Sequence, residues 1–154
     1  VLYLGASHGY TASFVSDMVG KEGRVYCLDV APRVVRDLIF VCEKRENMAP
    51  FLADCRQPQN YPQYITQTDV VFQDIAQRDQ VTIFLSNVRT HLKAGGFGIL
   101  ALKARSVDVK RKPSEVFKDA YKELSKQEDI IIVDKRELAP LELDHTLFVI
   151  KKKK

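Results

Sequence analysis

Three successive apolar runs of this 154-residue chain end next to an aspartate, and a fourth ends on a lysine. Asp29 closes "RVYCLD", Asp54 follows "FLA", Asp74 follows "VVFQ" and Lys103 closes "GILALK". A carboxylate in such a place can accept hydrogen bonds from sugar hydroxyls or from an exocyclic amine. A lysine beside a carboxylate can stabilise a developing oxyanion or take up its proton. Asp74 is the most telling of these, because a charge directly after an apolar strand needs a partner. Lys103, on the next strand in the expected order, is that partner; a purely structural ion pair is the competing reading. His145 in "LDHTLFV" precedes the last apolar run and can reach the same rim, although a lone histidine is often structural. His8 and His91 have weaker cases.

The chain opens "VLYLGASHGYT", in which Gly5 and Gly9 bracket the small and polar residues Ala6, Ser7 and His8, and Tyr10 and Thr11 follow. Small residues let a backbone approach a ligand, and the free N–H groups of a following helix can face an anion or carboxylate. Asp29 lies 20 residues after Gly9, where a carboxylate can hold both ribose hydroxyls. Each feature has a plainer reading: a tight connection for the turn, a helix cap ahead of Pro32 for Asp29, a loop cap for Asp54. Together the turn and the acid favour an adenosine-type ligand. No C-x-x-C, H-E-x-x-H or G-x-x-x-x-G-K-[ST] pattern occurs, so neither a zinc site nor a Walker-type site is indicated.

The elements that must carry these residues alternate. Apolar, β-branched runs recur at 1–4, 24–28, 51–52, 69–72, 97–102, 130–133 and 146–150. Most are continuously apolar, as strands covered on both faces of a parallel sheet require. Pro32 opens a helix whose Val35, Leu38, Ile39 and Cys42 share a face. Val81, Phe84, Leu85, Val88 and Leu92 predict a second, ended by Gly95-Gly96. Pro113 opens a third, with Phe117, Ala120, Tyr121 and Leu124 facing inward. The polar segment 56–68, with Pro58 and Pro62, is a loop or short irregular helix. The order predicts an α/β fold: a doubly wound, mostly parallel, seven-stranded sheet whose last two strands form an antiparallel pair at one edge.

One domain over residues 1–150 is expected, followed by a basic tail, 151–154. That tail supplies the whole net charge of +4; without it 20 basic residues face 20 acidic ones. A global electrostatic case for nucleic acid therefore fails, and the tail reads as a frayed, solvated end. No apolar run approaches the roughly 20 residues that cross a bilayer. Cys27, Cys42 and Cys55 are odd in number and widely spaced, which suits reduced cysteines in an intracellular protein. The start at Val1 reads as the middle of a domain, with chain missing upstream.

The stretches "VLYLGASHGYT", "GRVYCLDVAPR", "ADCRQP", "VVFQDIAQRDQ", "LALKARSVD" and "ELDHTLFV" resemble, in order and over nearly the whole chain, the fibrillarin family of RNA 2′-O-methyltransferases. The resemblance implies a Rossmann-like, class I fold with sheet order 3-2-1-4-5-7-6 and S-adenosylmethionine lying across the strand ends. Gly5, Ala6, Ser7, Gly9, Tyr10 and Thr11 match the donor-binding turn, Asp29 with Val30 the ribose side, Asp54 and Cys55 the adenine side, and Gln77 the glutamine after the catalytic acid. His8 and Tyr10 depart from the small or hydroxyl residues usual there, so Tyr10 is expected to crowd or reshape the donor pocket. Asp74, Lys103 and His145 match the last three members of the family's Lys-Asp-Lys-His set; its first lysine belongs to a segment before the first strand and has no match. The implied partners are a box C/D guide RNA and its target RNA, a Nop-domain scaffold protein and a ribosomal-protein-like kink-turn binder, with no membrane. "KARSVDV" looks archaeal, which implies a cytoplasmic location; a eukaryotic member would be nucleolar.

Lys103, Arg105, Lys110, Arg111 and Lys112 form the local basic cluster that RNA would need, with a solvated loop as the plainer reading of the last three. Two other functions fit parts of the pattern. An NAD-binding oxidoreductase explains the turn and Asp29 but not the series Asp54, Asp74 and Lys103. A binding subunit that keeps the fold without catalysing is the other.

Overall fold

A computed structural model describes residues 1–154. Seven strands run β1 (Leu2–Leu4), β2 (Val25–Asp29), β3 (Met48–Leu52), β4 (Thr68–Gln73), β5 (Leu92–Lys103), β6 (Ile130–Glu137) and β7 (His145–Lys152). They form one sheet in the order β3-β2-β1-β4-β5-β7-β6. The first five pair in parallel, and β7 enters antiparallel to both β5 and β6. The helices are α1 (Tyr10–Val19), α2 (Pro32–Cys42), α3 (Gln80–His91), α4 (Ala104–Val107) and α5 (Pro113–Ser125), with a 3-10 turn over Pro58–Asn60.

Side-chain alternation along a strand divides the core between the two faces of the sheet. Leu2 and Leu4 of β1 join Leu28, Val71, Leu100 and Leu102 in a cluster with Phe84 and Val88 of α3 and Phe117 and Leu124 of α5. Tyr3, between them, faces the other way and packs with Val25, Cys27 and the α1 and α2 residues Ala12, Leu38 and Cys42. Covering on both faces is why these strands read as nearly unbroken apolar runs.

Three details differ from the sequence expectation. Ile39 and Tyr121 are exposed rather than inward, since each lies one residue off the line its helix buries: Val35, Leu38 and Cys42 in α2, and Val116, Phe117, Ala120 and Leu124 in α5. The chain leaves α3 at His91, so Leu92 starts β5. Gly95 and Gly96 make a bulge within that strand instead of capping the helix, and the register steps from Thr68 opposite Leu92 to Val70 opposite Phe97. Gly95 has φ +79°, and a Cβ on Gly96 would stand 2.8 Å from the Asp69 carbonyl oxygen.

The tail is the third correction. Lys151 and Lys152 are the last residues of β7, paired with Ile131 and Ile130, and the Lys153 N–H donates to the Asp129 carbonyl. Lys152 Nζ donates to the carbonyls of Val88, Arg89 and Leu92 at 3.1, 3.0 and 2.8 Å. The Arg89 carbonyl is one that the end of α3 leaves without a helical partner, Val88 also accepts from the Leu92 N–H, and Leu92 opens β5, so the lysine clamps the helix end to the next strand and is not a frayed end.

Candidate active site

The turn after β1 is bent by three left-handed residues: Gly5 (φ +80°), Ser7 (φ +50°) and Gly9 (φ +88°). Gly5 is required by space as well as by angle, because a Cβ there would meet the Asp74 carbonyl oxygen at 2.4 Å. The N–H groups of Gly5 and Ala6 both donate to the Leu28 carbonyl at 2.9 Å. Asp29 completes the link between β1 and β2: its Oδ2 accepts from the Ser7 N–H and its Oδ1 from the Ala31 N–H, both at 3.0 Å. One carboxylate thus ties the turn and opens α2, and each oxygen keeps a further lone pair for a ligand.

Asp74 and Lys103 meet at the ends of adjacent strands. Lys103 Nζ lies 2.8 Å from Asp74 Oδ1, yet that oxygen has no hydrogen-bond donor in line. The contact is therefore ionic, off the axis of a hydrogen bond, and leaves the ammonium free to turn a proton toward a second acceptor. The two side chains are 28% and 31% exposed, sheltered enough to strengthen the pair and open enough for a substrate to touch it. His145 stands directly across from Lys103 in the β5–β7 ladder. Its Nδ1 lies 2.6 Å from the Leu143 carbonyl oxygen; since a carbonyl only accepts, Nδ1 carries the hydrogen and Nε2 is an acceptor. Glu142 Oε2, 3.6 Å from Nδ1, adds an acid beside the ring.

The ends of β1 to β5 surround a cleft of about 320 Å³ lined by Gly5, Ser7, Asp29, Val30, Asp54, Cys55, Asp74, Gln77 and Lys103, together with the apolar Val34, Ile75 and Ile83. Nine sequence-identified positions are thereby brought together from five strand ends. Ala6, Gly9, Tyr10 and Thr11 are not: Ala6 and Gly9 are buried behind the turn, while Tyr10 and Thr11 are exposed on α1. Tyr10 does not crowd the cleft. It forms with Phe14 and Met18 an exposed apolar ridge along that helix. His145 also lies outside the lining.

On the far side of the cleft, Asp54 Oδ1 accepts from the Arg56 N–H at 2.9 Å, so it caps its own loop. Arg56 spans the mouth with a two-pronged contact to Asp79 (3.0 and 2.8 Å) and a 2.8 Å hydrogen bond to Gln77 Oε1. The Arg56 guanidinium holds the Asp79 carboxyl below the usual carboxylate range. Beneath the loop, the Asn87 amide donates to the Cys55 carbonyl at 2.8 Å and accepts from the Tyr61 hydroxyl at 2.7 Å. Tyr61 stacks on His91 with ring centroids 4.9 Å apart.

Sequence reasoning missed Arg56, Asn87 and Gln80. Asn87 and Gln80 left a signal, as amides on the face of α3 that otherwise buries Ile83, Phe84 and Val88. Gln80 has no exposed surface; its amide donates to the carbonyls of Gln77 (2.7 Å) and Lys103 (3.1 Å) and accepts from the Lys103 N–H (3.0 Å).

The basic cluster is less free than its composition implies. Arg105 is spent on Asp144 (2.8 Å) and the Val109 carbonyl (3.0 Å). Arg111 binds Asp119 at 2.6 Å and approaches Glu115 at 3.9 Å, and Lys103 is held by Asp74. Of the five, Lys110 and Lys112 alone are exposed without an ion pair, because Asp144 from a distant segment folds onto Arg105 and the next helix brings Glu115 and Asp119 to Arg111.

A doubly wound sheet in this order, with its antiparallel edge and its polar residues at the carboxyl ends of the strands, defines a chain of the Rossmann-like methyltransferase fold. The family model described as Fibrillarin matches residues 1–154. The chain belongs to the fibrillarin family. It is 45% identical over 152 residues to the fibrillarin-like rRNA/tRNA 2′-O-methyltransferase of Pyrococcus furiosus, covering 99% of this chain and 66% of that protein. It thus spans just under two thirds of that relative's length. Among solved structures, a fibrillarin/Nop5p complex is similar with a TM-score of 0.92 at 34% identity, covering 98% of this chain and 71% of the other. Aeropyrum pernix fibrillarin with natively bound S-adenosyl-L-methionine is similar with a TM-score of 0.86 at 41% identity, covering 97% and 64%.

Proposed function

We propose that this chain transfers a methyl group from S-adenosylmethionine to ribose 2′-hydroxyls of rRNA, and also of tRNA. The observation that carries this reading is the Asp74–Lys103 pair, 2.8 Å apart, in a cleft whose other walls present Asp29 and Asp54. The residues fit an adenosyl sulfonium donor. Asp29 has lone pairs for ribose hydroxyls, Asp54 Oδ2 has one for an exocyclic amine, and Val30, Val34, Ile75 and Ile83 offer apolar surface to a ring. Asp74 provides negative charge where a sulfonium would need it, and the lack of a Cβ on Gly5 lets the turn after β1 pack directly against the Asp74 backbone.

When bound, the donor supplies an electrophilic methyl on a positively charged sulfur. The protein's task is then to present a 2′-oxygen to it and to manage the hydroxyl proton. Lys103 directs its ammonium at that oxygen and stabilises the negative charge that develops as the hydroxyl proton passes to water, while the methyl's C–S bond breaks as its C–O bond forms and a neutral thioether leaves. Asp74 holds Lys103 in place, and His145 Nε2 can orient the hydroxyl from the neighbouring strand. In-line alignment of oxygen and methyl is a term worth several kcal/mol, which favours groups carried on strand ends rather than on loops.

The body lacks an aromatic platform that reads base sequence, and its overall charge is balanced. A box C/D guide RNA, a Nop-domain scaffold and a kink-turn-binding protein would therefore select the target. The likeness to fibrillarin in its Nop5p complex supports the scaffold. The test is incorporation of labelled methyl into guide-matched RNA by the full-length protein in its assembly. Lys103→Ala and Asp74→Ala are each expected to lower the rate at least 100-fold while calorimetry still detects the donor with Lys103→Ala. Unchanged incorporation, or binding of NAD in place of the donor, would overturn the reading.

A further inference from the structure

Strand β4 stops too early to support Lys103. Its last ladder partner is Gln73, opposite Leu100, and Ala101, Leu102 and Lys103 run on past it. On the other side β7 continues to the end, with Leu102 opposite Thr146 and Lys103 opposite His145. The N–H and C=O of a residue in an antiparallel ladder point to the same side. For Lys103 both point to the side that β4 has vacated, where Gln80 receives them: Oε1 accepts from the N–H at 3.0 Å and Nε2 donates to the C=O at 3.1 Å.

We propose that Gln80 is a positioning residue for the transfer reaction, its buried carboxamide standing in for the missing strand residue beside Lys103; this rests on the methyl-transfer reading above. The second hydrogen of Nε2 goes to the Gln77 carbonyl at 2.7 Å. One amide group therefore ties the end of β5 to the loop that follows Asp74. Gln80 is itself pinned, because Gln73 Nε2 donates to its backbone carbonyl at 2.7 Å. The ammonium and the carboxylate sit on different strands, and their relative position is set by this link as well as by their own contact.

The same geometry fixes His145. With its backbone groups turned toward Gln80, Lys103 forms a non-hydrogen-bonded pair with His145, the arrangement in which opposite side chains stand closest on one face. Releasing the Lys103 backbone would loosen the ammonium from both neighbours, and a misplacement of about 1 Å costs on the order of 100-fold in rate. Of the residues that face the donor, Asp29 and Asp54 lie on β2 and the loop after β3, outside the link, and Gln77 enters it only through its backbone carbonyl, its side chain being held by Arg56.

The full-length protein in its ribonucleoprotein assembly tests the idea with Gln80→Met, which keeps the volume and loses every hydrogen bond. Donor affinity and the KM for RNA should stay within threefold of wild type, while the single-turnover rate falls 30- to 100-fold. The double variant Gln80→Met/Lys103→Ala should be no slower than Lys103→Ala alone, since Gln80 acts through that lysine. A rate within threefold of wild type, a parallel loss of donor affinity, or multiplicative loss in the double variant overturns the proposal. Should Gln80→Met fail to fold, Gln80→Leu, which is also apolar and removes the same side-chain hydrogen bonds, is read by the same criteria. A wild-type assembly that transfers no methyl would sink the functional reading and this proposal with it; wild-type transfer that survives in Gln80→Met sinks the positioning role alone.

Discussion

A thiol on the wall of a ligand cleft invites a covalent role, and its surroundings remove Cys55 from one. Burial pushes its pKa up to about 11, and the Asp29 and Asp54 carboxylates add to the rise. At neutral pH the group is a neutral thiol and a poor nucleophile. The folded protein holds this proton more tightly than the unfolded chain, so the stabilisation is complete below the unfolded value near 9 and is lost as pH rises toward 11. Urea unfolding should show wild type losing about 2 kcal/mol more stability than Cys55→Ser between pH 8.5 and 10.5, the shift of two units setting the size. Equal slopes would mean that burial does not control this thiol.

Elements here end where side chains from distant parts of the chain finish them. Where α3 gives way to β5, Lys152, some 60 residues later, donates from one ammonium to two carbonyls of the last helical turn and to that of Leu92. A charged donor on buried carbonyls contributes about 1–2 kcal/mol, with a favourable helix-dipole component. Lys152→Ala should lower the urea midpoint accordingly, whereas Lys153→Ala and Lys154→Ala should leave it in place. The connection between β6 and β7 is finished in the same manner. Arg105 holds Asp144 at 2.8 Å, and the Asp144 carbonyl accepts from the Ala104 N–H at 3.0 Å. That doubly tied residue has φ +59° and directly precedes His145, so the segment delivering the histidine is braced against the segment that follows Lys103.

Across residues 1–150 the formal charges balance, and in the basic cluster that begins at Lys103 the lysine and both arginines are paired with acids. The cations of that cluster that remain for RNA phosphates are Lys110 and Lys112, both exposed. Each phosphate contact with single-stranded RNA contributes about 0.7 to the slope of log affinity against log salt. Lys110→Ala/Lys112→Ala should make that slope shallower by about 1.4 in a filter-binding titration, whatever the RNA sequence. Arg111→Ala should change it less, because Arg111 is already neutralised by Asp119 and Glu115. A larger effect from Arg111 would show that RNA strips that arginine from its acids.

Periodicity was enough for the seven strands, the three long core helices and the antiparallel edge, because burial on both faces writes a continuous apolar run and burial on one face writes a helical stripe. The placement of Asp29, Asp54, Asp74 and Lys103 was legible for a related reason: parallel strands in one sheet end on the same side, so residues at their carboxyl ends converge. What the linear pattern could not carry was pairing between side chains far apart in the chain. Arg105 and Asp144, and Lys152 with the end of α3, read as free charges until folding brings them together. Tyr10 read as part of the donor turn because only the angles at Gly5, Ser7 and Gly9 decide which way α1 leaves it. Gln80 gave only the signal of an amide in an apolar helix. That it holds Lys103 follows from β4 ending three residues before β5 does, a length difference that exists only in the assembled sheet.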